Sequence, residues 1–166
     1  MGDKLNDKEK KIVGKWHVAK TEIMEESDEG YSGTITVEGT TDYRSNKTQA
    51  GEGFMRIRLN VDEDEYANTI TLEYSISDKG TWSVEGNNMV EKLNEVNIEF
   101  SGASTIANNE DDEVYIEAFK QHYADIIPEM RNEALKKSRE KIIKLTEDEL
   151  TIKVDEGEEI TLTRIE

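Results

Sequence analysis

The 166-residue sequence has no cysteine, a single proline and only three phenylalanines. Without cysteine, the chain forms no disulfide bond, contains no thiolate nucleophile and has no cysteine-ligated zinc site. It has no run of about 18 apolar residues, so no membrane span is expected. The only histidines, His17 and His122, belong to no catalytic motif, and the sequence contains no phosphate-binding or dinucleotide-binding fingerprint. We therefore expect a protein that is not an enzyme and needs no cofactor.

Basic residues are also few: the sequence has 21 Lys and Arg and 38 Asp and Glu, which gives a net charge of −17. Such a surface repels phosphate backbones and anionic lipids, so we expect no nucleic-acid partner. A basic protein partner is compatible with this charge, and so is the simpler explanation of solubility. The acidic clusters at 62–65 and 110–113 lack the glycine and the spaced ligands of an EF-hand loop, so no metal site is predicted.

The clearest pattern is a strict alternation of apolar and polar residues in two neighbouring stretches. Alternation with a period of two predicts strands with one buried and one solvated face, which is typical of antiparallel sheets. The apolar positions are Met55, Ile57, Leu59 and Val61 in the first stretch, and Ile70, Leu72, Tyr74 and Ile76 in the second.

Similar but shorter patterns recur through most of the chain and predict about 8–10 strands in a single domain spanning residues 1–166. The first strand is expected over 15–24, and the last three over 142–146, 150–154 and 160–165. Between strands we predict turns or loops at 25–30, 39, 62–65, 78–80, 101–112 and 156–157, and either a loop or a glycine-loosened strand edge at 46–53. If each strand pairs with the next, the most economical closure is an antiparallel up-and-down β-barrel.

Between residues 113 and about 140 the apolar spacing changes to three and four, which predicts a long amphipathic helix ahead of the last three strands. Pro128 lies within this insert and predicts a kink there, or two helices. The sequence leaves open whether the helix covers a barrel end as a lid or packs permanently on the outside of the barrel.

Gly14-Lys15-Trp16 follows a short predicted helix (7–12, with Asn6 as its cap) and resembles the G-x-W signature of lipocalins and the wider calycin superfamily. The stretch from Gly80 to Asn87 is similar to a hairpin of bacterial lipocalin-like domains. The resemblance implies a barrel whose base is closed by Arg164 packing across Trp16, which makes Gly14, Trp16 and Arg164 structural signature residues. A cation over an indole face is worth about 1–2 kcal/mol when shielded. The sequence departs from the lipocalin pattern because three strands follow the helix, where a lipocalin has one.

Gly2-Asp3 resembles the residues that follow the lipidated cysteine of bacterial lipoproteins. If Met1 stands in place of that cysteine, the protein belongs to the bacterial cell envelope or periplasm and has a lipid anchor outside this sequence. If the start is native, a cytoplasmic location is expected.

For function, the sequence favours a lipocalin-like protein that binds a small apolar or amphipathic ligand without chemistry. The predicted ligand-binding residues are Met55, Ile57, Leu72, Tyr74 and Phe100, although the same apolar set also suits a filled core. The alternative is an acidic protein-interaction module, of inhibitor or immunity type, that binds a basic partner.

Overall fold

The computed structural model of the protein describes residues 4–24, 31–63, 65–154 and 157–165. Within these residues two α-helices and eight β-strands follow one another along the chain. The first half contains α1 (Asp7–Ile12), β1 (Gly14–Met24), β2 (Tyr31–Tyr43), β3 (Thr48–Glu63) and β4 (Tyr66–Glu85). The second half contains β5 (Asn88–Thr105), α2 (Asp112–Ala134), β6 (Ser138–Leu145), β7 (Glu149–Lys153) and β8 (Glu159–Arg164).

The strands form one antiparallel, ring-like sheet in which each strand pairs with its neighbours in sequence. β8 also pairs with β1, where Trp16 lies opposite Arg164 and His17 opposite Thr163, and this pairing closes the ring. The prediction of a mainly β, antiparallel fold with one long helix before the last three strands is therefore confirmed.

The strands differ greatly in length, and this makes the two ends of the ring unlike. β3, β4 and β5 have 16, 20 and 18 residues, whereas β6, β7 and β8 have 8, 5 and 6. β6 pairs with β5 only between Asn88 and Glu91. The ring is thus closed at one end, which we call the base. At the other end, the top, the long strands continue as a half-sheet, and α2 packs on the inner face of this half-sheet.

Alternation along each strand determines which side chains point inward. The inward residues at the top form the upper core, which the side chains of α2 complete. Its buried members are Met55, Ile57, Leu59, Val61, Tyr66, Ile70, Leu72, Tyr74, Tyr123 and Ile127. The helix is therefore a packed element of the fold, but it lies on the inner face of the strands and not on the outside as one alternative held. Tyr66 of β4 stacks on Tyr115 of α2 with ring centroids 3.9 Å apart.

The inward residues at the base form a separate lower core around the two tryptophans. Its members are Ile12, Trp16, Tyr43, Trp82, Val84, Met89, Leu150, Ile152 and Leu162. α1 covers this end. Asn6 caps the helix, as the sequence predicts, and the structure shows that it does so in a capping box with Glu9. The Glu9 carboxylate also accepts a hydrogen bond from the Val84 backbone N–H at 3.0 Å, which ties α1 to β4.

Two glycines predicted to mark a hairpin and a loop lie inside continuous strands. Gly39 is directly opposite Gly53 in the β2–β3 pairing. A Cβ atom on Gly53 would lie only 2.1 Å from the carbonyl oxygen of Glu38, so glycine is required where the two backbones approach closely. The hairpin at 39 is therefore wrong, since β2 continues to Tyr43. Of the two alternatives for 46–53, the loop holds only as far as residue 47, since β3 begins at Thr48.

The predicted turn at 78–80 is wrong for a related reason. β4 continues through it to Glu85, with a register shift against β5 between Lys79 and Gly80. A Cβ atom on Gly80 would lie 2.1 Å from the Lys92 carbonyl oxygen. A bulge needs the same small, polar residue types as a turn, so the sequence pattern does not separate the two.

The boundaries around α2 also differ from prediction. β5 extends into the predicted loop as far as Thr105, and α2 ends at Ala134 because residues from Ser138 onward pair as β6. α2 runs without a break through Pro128, so the alternative of two helices is wrong. Pro128 is exposed, so water can satisfy the carbonyl that loses its donor there.

Several predictions fall on residues outside the described ranges. These are the turn at 25–30, residue 64 of the 62–65 turn, residue 156 of the 156–157 turn and the start of the chain at 1–3. Within the described ranges, no helix is both long enough and apolar enough to cross a membrane.

Candidate ligand cavity between the two cores

Four of the five residues predicted to line a ligand pocket lie in the upper core. Their side chains are at most 2% exposed, and Tyr123 and Ile127 of α2 pack against the same cluster. Side chains of the protein therefore occupy the space around these four residues, which are Met55, Ile57, Leu72 and Tyr74.

The fifth residue, Phe100, lies at the surface beside α2 and is 37% exposed. Its ring meets Tyr74 edge-on, with centroids 5.5 Å apart, and the Lys120 ammonium lies 4.5 Å from its centroid. The Tyr74 hydroxyl is buried and has no hydrogen-bond partner among the described residues, and burial raises the pKa of this phenol.

The three signature residues meet at the base. Gly14 has φ +138°, a conformation that favours glycine, and it turns the chain from α1 into β1. The Trp16 indole donates to the Ile12 carbonyl at 2.7 Å, and the Arg164 guanidinium lies 4.4 Å from the Trp16 ring centroid. Arg164 also donates to the carbonyl of Val13 at 2.9 Å, so one guanidinium joins β8, β1 and the end of α1.

A cavity of about 330 Å³ lies between the two cores. Along β4 the inward positions pass from Tyr74 in the upper core through Asp78 to Trp82 in the lower core, and Asp78 lines the cavity. The lining comes from β2, β3, β4, β5, β6 and the end of α2, and consists of Thr41, Tyr43, Gln49, Asp78, Glu91, Leu93, Glu133, Ala134, Lys136, Ser138 and Glu140.

The exposed lining residues are Glu133, Ala134 and Lys136, so the cavity opens beside the end of α2. Lys136 pairs with Glu133 at this mouth, with Nζ 2.8 Å from Oε1. The opposite wall is closed by Tyr43 and Gln49, which are 5% and 4% exposed.

The pKa of the Glu91 carboxylate is strongly shifted in the cavity. Burial raises this pKa, a hydrogen bond from Tyr43 lowers it and the nearby charges of Glu140 and Asp78 raise it, and together these effects bring it to about 7. The Tyr43 hydroxyl donates to Glu91 Oε1 at 2.5 Å. Burial, together with the charge of Glu91, raises the pKa of Tyr43 well above its usual value, so this hydroxyl remains a donor near neutral pH.

Asp78 occupies the cavity at the level where Gly51 leaves room for it. A Cβ atom on Gly51 would lie 2.7 Å from the Asp78 Oδ1 atom, so any larger residue would displace the carboxylate. Burial raises the pKa of Asp78, and a hydrogen bond from the Gly51 backbone partly offsets this effect. The cavity therefore has a polar, acidic wall and an apolar part at Leu93 and Ala134.

Sequence analysis missed this site, although one signal of it is present. The alternation that begins at Ile70 places Asp78 on the inward face, but a turn was predicted there instead. Glu91 lies opposite Trp82 in the β4–β5 pairing and therefore shares its inward side. Acidic residues at inward positions break the usual apolar pattern, and such exceptions tend to mark functional sites.

A second concavity crosses the outer face of β1 to β5. It measures about 700 Å³, and its polar lining includes His17, Glu38, Glu52, Ser77 and Glu99. His17 Nε2 lies 2.9 Å from Glu38 Oε1, and both side chains are more than a third exposed. We refer to it as the outer groove.

The comparisons with known proteins assign no family to the chain. No model of a protein family matches the sequence, and no curated protein matches it either.

Proposed function

We propose that this chain is a non-enzymatic, lipocalin-like binding protein that holds one small amphipathic ligand in the cavity between its two cores. The observation that supports this function is the cavity itself. Its volume of about 330 Å³ lies in the range typical of ligand sites, and it combines an apolar patch with a polar wall.

The base supports the lipocalin-like part of the proposal. Strands pair in sequence order around the ring, Gly14 and Trp16 begin β1 after a short helix, and Arg164 lies over Trp16. In an up-and-down barrel of this kind a closed base and an accessible interior favour binding over chemistry.

The test is a protein-observed NMR screen with a library of small amphipathic molecules. Binders are expected to shift the amide signals of lining residues such as Gln49 and Glu91, while those of the outer groove stay unchanged. Leu93→Trp places an indole in the cavity and should abolish the shifts; Glu95→Gln, on the outer face of β5, should retain them. A library without any cavity binder, or equal binding by the Leu93→Trp variant, would overturn the proposal.

The outer groove favours a second candidate function, an acidic module that binds a basic protein. Three carboxylates, those of Glu38, Glu52 and Glu99, line this groove on a chain of net charge −17. A partner recovered with the wild-type protein should dissociate as salt rises and should be lost with Glu52→Lys, yet be retained with Leu93→Trp. Recovery that is insensitive to both salt and Glu52→Lys would contradict this function.

A further inference from the structure

β1 has one long edge along which it pairs with no other described strand. Its register with β2 runs unbroken from Gly14 to Met24, whereas β8 pairs with it only at Trp16 and His17. From Val18 onward, no strand formed by the described residues pairs with β1 on the side away from β2. Unpaired strand edges accept further strands, because their backbone N–H and C=O groups remain available for hydrogen bonds.

The pairing with β8 shows which backbone groups lie on this edge. The Lys15 carbonyl accepts a hydrogen bond from the Ile165 N–H at 2.9 Å, so the odd-numbered residues of β1 point their backbone groups away from β2. Along the unpaired part of the edge these residues are Ala19, Thr21 and Ile23. Their side chains point to the outer face of the sheet and are exposed. The edge thus offers an N–H donor and a carbonyl acceptor at each of these positions.

The other open edge of the half-sheet, on β5, is irregular. β6 pairs with β5 only from Asn88 to Glu91, so within the described chain the rest of β5 forms the margin of the sheet. Its pairing with β4 contains two register irregularities, at Glu73–Tyr74 and at Lys79–Gly80. Bulges of this kind distort an edge and hinder the addition of a strand. β1 pairs with β2 in one continuous register, so its edge is the one suited to a further strand.

We propose that this edge binds a second copy of the chain, whose β1 pairs antiparallel with the first across a two-fold axis at Thr21. In this register Lys20 of each copy lies opposite Glu22 of the other, and Ala19 lies opposite Ile23. The two edges form about six backbone hydrogen bonds, two at each pair of facing residues. None of these residues lines the cavity between the two cores, so the interface is independent of the proposed ligand.

The charges of the edge are complementary to themselves in this register. By alternation from Trp16, which lies in the lower core, Lys20 and Glu22 lie on the inner face. They face each other at positions without backbone hydrogen bonds, where opposite side chains come closest. Lys20 Nζ lies 3.0 Å from Glu22 Oε1 and 3.1 Å from Glu158 Oε2 within one copy. An ammonium has three N–H donors, so a third donor is available for Glu22 of the second copy.

The outer face of the contact is complementary as well. Ile23 is 82% exposed in the single chain, and in the pair it covers Ala19 of the other copy. The two Thr21 side chains meet at the axis, and pairs of threonines stabilise antiparallel sheets. Because each edge is its own complement, the contact closes as a dimer and does not continue as a filament.

Sedimentation velocity at concentrations from about 10 μM to about 1 mM should show a monomer–dimer equilibrium. Buffer with about 0.2 M NaCl screens the repulsion between two chains of net charge −17. NMR hydrogen exchange should show the Thr21 and Ile23 amides becoming more protected as the concentration rises. The amides at the margin of β5 should not change.

A pair of charge reversals tests the register. Lys20→Glu brings carboxylates opposite one another and Glu22→Lys brings ammonium groups opposite one another, so each variant alone should dimerise at least about tenfold more weakly than the wild type. An equimolar mixture of the two variants restores opposite charges at both positions and should form a heterodimer. Arg58→Glu, at an exposed position on the outer face of β3, is the matched control and should dimerise as the wild type does.

Thr21→Pro tests the edge itself. The Thr21 N–H points away from β2, so proline removes no hydrogen bond between β1 and β2 but obstructs an added strand. The variant should fold, as judged by circular dichroism, and should remain monomeric. If it does not fold, the mixture of the two charge variants provides the decisive measurement.

A wild-type protein that stays monomeric up to about 1 mM overturns the proposal. Protection of the Thr21 amide in such a monomer would mean that another part of the same chain covers the edge. A dimer that persists in Thr21→Pro, or in both charge variants, also overturns the proposal, because its contact or its register is then a different one. The same holds if the mixture of the charge variants forms no heterodimer.

Discussion

Glu9 and Glu91 both point into the interior of the sheet, yet their surroundings shift their pKa values in opposite directions. Burial opposes ionisation of Glu9, but hydrogen bonds from the backbone N–H groups of Asn6 and Val84, together with the Lys47 ammonium 3.4 Å away, lower its pKa overall. Burial raises the pKa of Glu91, its acidic neighbours Glu140 and Asp78 raise it as well, and the hydrogen bond from Tyr43 only partly opposes them, so this pKa is about 7. The surroundings of Glu9, which ties α1 to the base, thus stabilise the charged carboxylate, whereas those of Glu91 in the cavity destabilise it.

This difference predicts how stability depends on pH. Because folding raises the pKa of Glu91 from an ordinary 4.5 to about 7, the folded state binds its proton more tightly than the unfolded state. Its contribution to the free energy of unfolding is greatest below about pH 4.5 and is lost as pH rises through 7. Glu91→Gln should therefore match the wild type at about pH 4.5 and exceed it by up to about 3 kcal/mol at pH 8.

Urea unfolding followed by tryptophan fluorescence at several pH values measures this difference. Glu95→Gln is the matched control, since its carboxylate is exposed on the outer face of β5. Equal stability of the Glu91→Gln variant and the wild type across the whole range would show that Glu91 ionises normally in the folded protein.

At the scale of elements, α2 takes the place that strands occupy elsewhere in the ring. β6, β7 and β8 are too short to reach the top, so the inner face of the long strands is covered by helix side chains instead. Tyr66 and Asn68 both donate to Asp112 Oδ1, at 2.5 and 2.9 Å, and so hold the start of the helix against β4.

If α2 is a permanent part of the core, shortening one of its buried side chains should destabilise the whole protein. Ile127→Ala removes buried methyl groups from the upper core and should lower the free energy of unfolding by about 3 kcal/mol. Glu129→Ala, at an exposed position two residues along the same helix, should change it by less than about 0.5 kcal/mol. Equal effects in urea titrations would indicate that α2 is a loosely attached lid.

Particular elements show how far the sequence determines this fold. The alternation from Met55 to Ile76 predicted two neighbouring strands because each has one buried and one wet face. The same reasoning failed at Gly39 and Gly80, since glycine serves a close approach inside a strand as well as a turn. Strand length was underestimated in β3, β4 and β5, because their polar, glycine-containing sections pair through the backbone without an apolar signal.

The candidate site was harder to predict than the fold. The apolar residues singled out for a ligand lie mainly in the upper core, and the cavity walls are largely polar. Which carboxylates face inward depends on register, and the register of β5 contains two irregularities, one between Glu73 and Tyr74 and one between Lys79 and Gly80 on its partner. Each irregularity adds one residue to β5 and so exchanges the inward and outward positions along the strand. Counting alternate residues in the sequence therefore assigns the residues beyond it to the wrong face of the sheet.

At the scale of the whole molecule, the net charge of −17 is spread over a chain of 166 residues. Like charges repel one another more strongly in the compact state than in the unfolded chain, and salt screens this repulsion. The free energy of unfolding should therefore increase as NaCl rises from about 0.02 M to about 0.5 M at neutral pH. Urea titrations at each salt concentration measure this, and a steady fall would mean that attractive ion pairs outweigh the repulsion.

The junction of β1 with β8 has a consequence for the order in which the chain folds. β1 to β5 form successive hairpins whose partners are near one another in sequence, and these pairings need little loop closure. Trp16 and Arg164, by contrast, are far apart in sequence, and their contact encloses β2 to β7. During synthesis β1 to β5 can therefore pair while the indole of Trp16 is still uncovered, and the guanidinium that packs on it is added only once β8 has been translated.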